Sequence, residues 1–170
     1  MNSSLSRDLG LAVVGAAVVA LFAQISINVG RIPVTGQSFA VLLMGYLLGA
    51  RGGALAMILY LALGALGLGV FAGGESGWDK LTGFGGGYLW AFVPAAALLG
   101  SMRGLDRGLP SSLLAMALGT ALILGIGAIW LGTHVGFAAA WSSGVSPFLA
   151  GAGIKILAGG LAMYGLGKWL

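Results

Sequence analysis

The sequence of 170 residues holds no cysteine and a single histidine. Disulfides and thiolate metal sites are thereby excluded, and no metal site can be assembled from the usual Cys and His spacings. Charge is nearly as scarce. Only 7% of residues are charged, four acidic against eight basic, whereas a soluble domain carries about 25%. No pair of membrane-embedded carboxylates is present, so no proton relay is evident for uphill transport. There is no Gly-Lys-Ser/Thr phosphate loop, so the chain cannot hydrolyse ATP alone. There is no Ser-His-Asp arrangement in register either. No catalytic residue, cofactor or nucleic-acid partner is expected, and the chain does not read as an enzyme.

What is present is apolar. Hydrophobic residues make up 59% of the chain and the mean hydropathy is +1.04, the composition of an integral membrane protein. The few charges bound apolar stretches close to the ~18–20 residues that span hydrocarbon. We expect an all-α fold, one membrane domain over residues 1–170 with six helices in a compact bundle. They are placed at about 9–28, 38–50, 53–71, 85–102, 111–132 and 148–168, the second being short. The apolar stretch after Leu9 is too long for the core of a cleavable signal peptide. If the N-terminus is cytoplasmic, Arg7, Arg51, Arg103, Arg107 and Lys168 lie inside, with only Arg31 and Lys80 outside. That bias obeys the positive-inside rule and predicts both termini in the cytoplasm.

Thirty-three glycines, about three times ordinary usage, lie largely within the apolar stretches. Small residues let helices approach closely in lipid. Gly45, Gly49 and Gly53 repeat every fourth residue, as do Ala12, Ala16 and Ala20. The glycine series reads as internal packing. The alanine stripe reads equally as internal packing or as a docking surface for another membrane subunit.

Lys155 stands alone in a long apolar run. A charge at the bilayer centre costs roughly 2.5–3.5 kcal/mol on insertion scales and by default marks a functional site. The alternative is a lysine snorkelling to the interface. The expected external loops are 28–37, 71–80 and 134–147, all at the same face as the outer end of the Lys155 helix. Pro33 biases Ile32 towards an extended conformation, and this first loop is short enough to fold over the bundle as a lid. Trp141 and His134 read as interfacial residues. Trp78 reads either so or as a stacking surface for a ligand. A small bundle with a polar mouth and one buried cation describes a binder of a small anionic solute.

The segment Ile32-Pro33-Val34-Thr35-Gly36-Gln37-Ser38-Phe39-Ala40-Val41-Leu42-Leu43 resembles the first-loop signature of the BioY family, the biotin-binding substrate subunits (S components) of energy-coupling-factor transporters. Further matches follow in Leu61 to Gly74, in Gly86-Gly87-Tyr88-Leu89, and in Pro147-Phe148-Leu149 with Lys155. The resemblance implies a six-helix bundle with a biotin pocket near the outer face of a bacterial cytoplasmic membrane. It implies work with a transmembrane coupling subunit and two ATPases, some members being proposed to transport alone. It also implies that small-residue stripes in the first helix dock the coupling subunit, here Ala12, Ala16 and Ala20. With biotin as ligand, Lys155 would pair with its carboxylate, Phe71, Trp78 and Tyr88 would contact it, and Thr35 or Gln37 would close over it. Three departures from the family pattern stand out: Ala152 where an aspartate belongs, Gly83-Phe84-Gly85 in place of Gly-Pro-Thr, and Asp79 at a small or apolar position. Asp79 could supply the acceptor that Ala152 lacks. Three functions remain: an importer subunit, a solitary vitamin facilitator, or a non-transport scaffold.

Overall fold

The computed structural model describes residues 3–29, 32–104 and 108–167. Arg31, Arg107 and Lys168, which enter the charge argument, lie outside the described residues. In chain order the elements are α1 (Ser3–Ala23), β1 (Ser26–Val29), β2 (Ile32–Thr35), α2 (Gln37–Ala65), α3 (Trp78–Thr82), α4 (Gly86–Ser101), α5 (Leu109–Val135), α6 (Phe137–Gly144) and α7 (Leu149–Leu166). Short 3₁₀ turns fall at Ala72–Gly74 and Ser146–Phe148. Four stretches of the described residues are long and apolar enough to cross a membrane: Ser6–Ala23, Gln37–Ala65, Leu109–Val135 and Phe137–Leu166. Gly86–Ser101 is a shorter apolar helix.

The expected second and third helices are the two limbs of α2. Gly49 interrupts its helical backbone with φ 77° and ψ 171°, a region essentially reserved for glycine that costs other residues on the order of 1–3 kcal/mol. The limbs fold back on each other, because Gln37 Nε2 on one lies 2.5 Å from the Tyr60 hydroxyl on the other. Gly45 and Gly53 make that return possible. A Cβ on Gly53 would fall 2.8 Å from Gly45 Cα, and one on Gly45 2.5 Å from the Ala96 carbonyl of α4. Here small residues serve close backbone approach, whereas Gly49 serves conformation.

Several boundaries differ from the sequence expectation. The first helix stops at Ala23, not 28, because Ser26–Val29 pairs antiparallel with Ile32–Thr35 in the register Ser26↔Thr35 and Ile27↔Val34. Alternating β-branched residues favour a strand there. The third helix stops at Ala65, not 71. Gly67 takes φ 102°, its N–H donates to Gly64 O and that of Leu68 to Leu63 O, both at 3.1 Å, a Schellman ending. The third loop contains α6, a helix not foreseen.

The alanine stripe lies largely inside the bundle. Ala12 and Ala16 are only 2% and 3% exposed, and Ala20 is half-buried against the core. A Cβ on Gly15, beside Ala16, would meet Leu48 and Ala56 of α2. In the lone chain α2 approaches this small-residue face closely and covers it. The exposed side of α1 carries Leu11, Val13, Val14 and Leu21 instead.

The core is shared by Leu42, Met57, Tyr60, Leu99, Met116 and Leu131. Helix α2 packs chiefly on α4 and α1, and α5 on α4 and α7. The hairpin closes one end of the bundle. The opposite end holds the Gly49 fold, the start of α1, Arg51 and Arg103.

Candidate functional site

A cavity of about 330 Å³ opens at the hairpin end, within the roughly 300–1,000 Å³ usual for small-molecule sites. Strand β2 supplies Ile32, Pro33 and Thr35, and the first turn of α2 supplies Gln37 and Ser38. Phe71, Ala72 and Glu75 come from the loop after α2, and Asp79 and Lys80 from α3. Helix α4 adds Tyr88, Leu89 and Phe92, and α5 adds Thr120, Ile123 and Leu124. Phe148, Ala152 and Lys155 complete the wall. Ala152 and Lys155 are three residues apart and so share a face of α7.

Lys155 is the embedded cation, and its surroundings explain how it is tolerated. Its Nζ donates to the Thr35 carbonyl at 2.5 Å and to Ser38 Oγ at 3.0 Å. These two bonds leave one of an ammonium's three donors for a solute. Among the described residues no carboxylate pairs with it, whereas Lys80 pairs with Glu75 at 2.8 Å. The amine therefore turns into the cavity wall rather than snorkelling along the lipid face.

The aromatic walls are fixed from behind. Tyr88 stacks on Phe148 at 6.0 Å, and its hydroxyl donates to the Gly144 carbonyl at 2.6 Å. That bond ties α4 to the end of α6. Phe71 is 2% exposed and meets Tyr60 edge-on at 5.5 Å. Its ring fills the space a side chain on Gly64 would occupy. The segment Gly83-Phe84-Gly85 is pinned by Trp130 Nε1, which donates to Gly83 O at 2.9 Å.

Of the residues expected around a ligand, Thr35, Gln37, Phe71, Asp79, Tyr88 and Lys155 all line this cavity. Trp78 does not. It is 60% exposed and meets Trp90 edge-on at 6.3 Å, because the short helix α3 presents Asp79 and Lys80 to the cavity instead. Trp141 is exposed on α6. His134 is exposed, with its ring near Trp130 and Phe84. All three departures from the family pattern, Asp79, Gly83–Gly85 and Ala152, line the same cavity. Sequence reasoning missed Ser38, Phe92, Phe148 and Thr120. Ser38 and Phe148 stood inside the recognised motifs. Phe92 and Thr120 sit on helices apolar all round, where no periodicity shows which side faces a cavity.

A small-molecule cavity let into one end of an apolar helix bundle, with a cation in its wall, defines a membrane solute-binding protein. The chain belongs to the BioY family, whose model matches residues 1–170. It is 39% identical over 144 residues to a "Probable biotin transporter BioY" of Pyrococcus horikoshii, covering 85% of this chain and 86% of that one. It is 36% identical over 153 residues to "Biotin transporter BioY2" of Lactococcus lactis subsp. cremoris, covering 88% and 84%. These relatives are named as transporters, not enzymes. The fold matches a crystal structure of "the S-component for biotin from an ECF-type ABC transporter" with a TM-score of 0.83 at 23% identity, covering 99% of this chain and 94% of that one.

Proposed function

We propose that the chain binds biotin in this cavity and takes it across the cytoplasmic membrane as the substrate-binding subunit of an ATP-driven energy-coupling-factor importer. The observation that carries this reading is Lys155, an ammonium without a carboxylate partner among the described residues, set in an otherwise aromatic and aliphatic wall. Biotin offers a carboxylate for the ammonium and an apolar bicycle for Phe71, Tyr88, Phe92 and Phe148. Thr35 and Gln37 close over it, and Asp79 accepts from a ureido N–H in place of the aspartate that Ala152 replaces. The names of the relatives support biotin, and that of the structural neighbour supports ATP-driven partners.

The two limbs of α2 with α1, α4, α5 and α7 make the six spans, both termini being cytoplasmic. The clustering of Arg7, Arg51 and Arg103 at the end opposite the cavity supports this orientation. A second reading, a solitary facilitator without ATPases, is favoured by the burial of Ala12 and Ala16, which covers the expected docking stripe in the lone chain. Native mass spectrometry of the gently purified chain, co-expressed with a coupling subunit and two ATPases, separates these. Biotin retained together with those subunits supports the importer, and biotin retained alone supports the facilitator. A chain that retains no biotin sinks both.

A further inference from the structure

Tyr60 lines no part of the cavity, yet hydrogen bonds lead from it to both loops that do. It is fully buried, and its hydroxyl accepts from Gln37 Nε2 at 2.5 Å and donates to the Val70 carbonyl at 3.1 Å. Gln37 Oε1 accepts in turn from Thr35 Oγ1 at 3.3 Å, and the Thr35 carbonyl accepts from Lys155. One chain of bonds thus runs from α7, through the end of the hairpin, across the fold of α2, to the loop 66–77. The far end is held again by Gln24 Nε2, which donates to Phe71 O at 3.3 Å. Withdrawing Gln37 would leave a buried phenol and a buried amide short of partners, which is costly. Shifting Val70 would do the same from the other side. We infer that Tyr60 is a positioning residue that couples the hairpin end, 32–37, to the loop 66–77, so that the two walls of the cavity order and release together.

The consequence for binding rests on reading the cavity as the biotin site, but the coupling itself does not. Tyr60→Phe keeps the ring against Phe71 and Phe92 and removes only the hydroxyl. Hydrogen–deuterium exchange of the full chain without biotin tests the coupling first. Amides of both 32–37 and 66–77 should exchange roughly 3–10-fold faster in the variant, the worth of one neutral hydrogen bond, while α5 and α7 stay unchanged. Gln37→Met, which breaks the same bond from the hairpin side, should also speed exchange in 66–77, some distance from the change. Combined with Tyr60→Phe it should add little. No response in either segment, or additive effects of the two changes, overturns the inference. If Tyr60→Phe does not fold, Gln37→Met decides alone, by whether 66–77 responds. With biotin added, wild-type chain should be protected in both segments, and Tyr60→Phe should release biotin several-fold faster. If wild-type chain shows no protection by biotin, the biotin reading fails and the ligand-free comparison still decides the coupling.

Discussion

An ammonium group among lipid-facing helices needs partners, and Lys155 finds a backbone carbonyl and a hydroxyl rather than an anion. That arrangement satisfies the donor without neutralising the charge, which leaves the site poised for a carboxylate. Lys155→Met keeps the length and the apolar stem. It should weaken biotin binding by about 1.5–3 kcal/mol, the range for a charged hydrogen bond, as read by calorimetric titration in detergent. Unchanged affinity would reduce Lys155 to a structural tether of Thr35. Trp78 supplies the contrast. Exposed and edge-on against Trp90, it should tolerate alanine with an affinity change within about 0.5 kcal/mol. A tenfold loss in the same titration would mean that α3 rearranges to bring the indole over the ligand.

At the level of elements, the helices were legible because charges bound them, while the turns depended on local backbone chemistry. Gly45, Gly49 and Gly53 look alike in the sequence, as one small-residue series. Only Gly49 carries a positive φ, and only the folded chain separates its conformational role from the packing role of the other two. Its neighbourhood is open, with the nearest atom to an added Cβ an Arg103 guanidinium nitrogen at 4.0 Å. Gly49→Ala should therefore cost about 1–3 kcal/mol through backbone strain alone, measured as a lowered melting temperature with the pocket intact. Gly45→Ala would drive a methyl against the Ala96 carbonyl and should be worse. If Gly49→Ala is neutral, α2 has another way to fold back. The cavity was legible where a charge or a motif marked it, at Lys155, Thr35, Gln37 and Tyr88. Phe92 and Thr120 carried no such mark, since a helix buried on several sides shows no preferred face. The hairpin was missed because a short β-branched run at the end of an apolar helix reads equally as its last turn.

For the whole molecule, the decisive question is which face of α1 is free. Ala12 and Ala16 are buried within the chain, and Gly15 between them faces α2, so the small side chains that suggested a partner already have neighbours in the lone chain. Ala16→Leu then adds bulk to a filled contact, and overpacking of this kind typically costs 1–3 kcal/mol. Gly15, beside Ala16, faces Leu48 and Ala56 of α2, whose first turn carries Gln37 and Ser38 into the cavity. Strain there should reach the cavity wall. Expression, melting temperature and biotin binding should accordingly fall together in the isolated chain, before any partner is added. Substitution of Val13 or Val14 by bulkier Phe on the exposed face should leave those three properties near wild type. If Ala16→Leu instead melts and binds normally and loses only co-purification with a coupling subunit, then α1 must swing away from α2 when the complex forms. The stripe would then be a docking surface that the lone chain keeps covered.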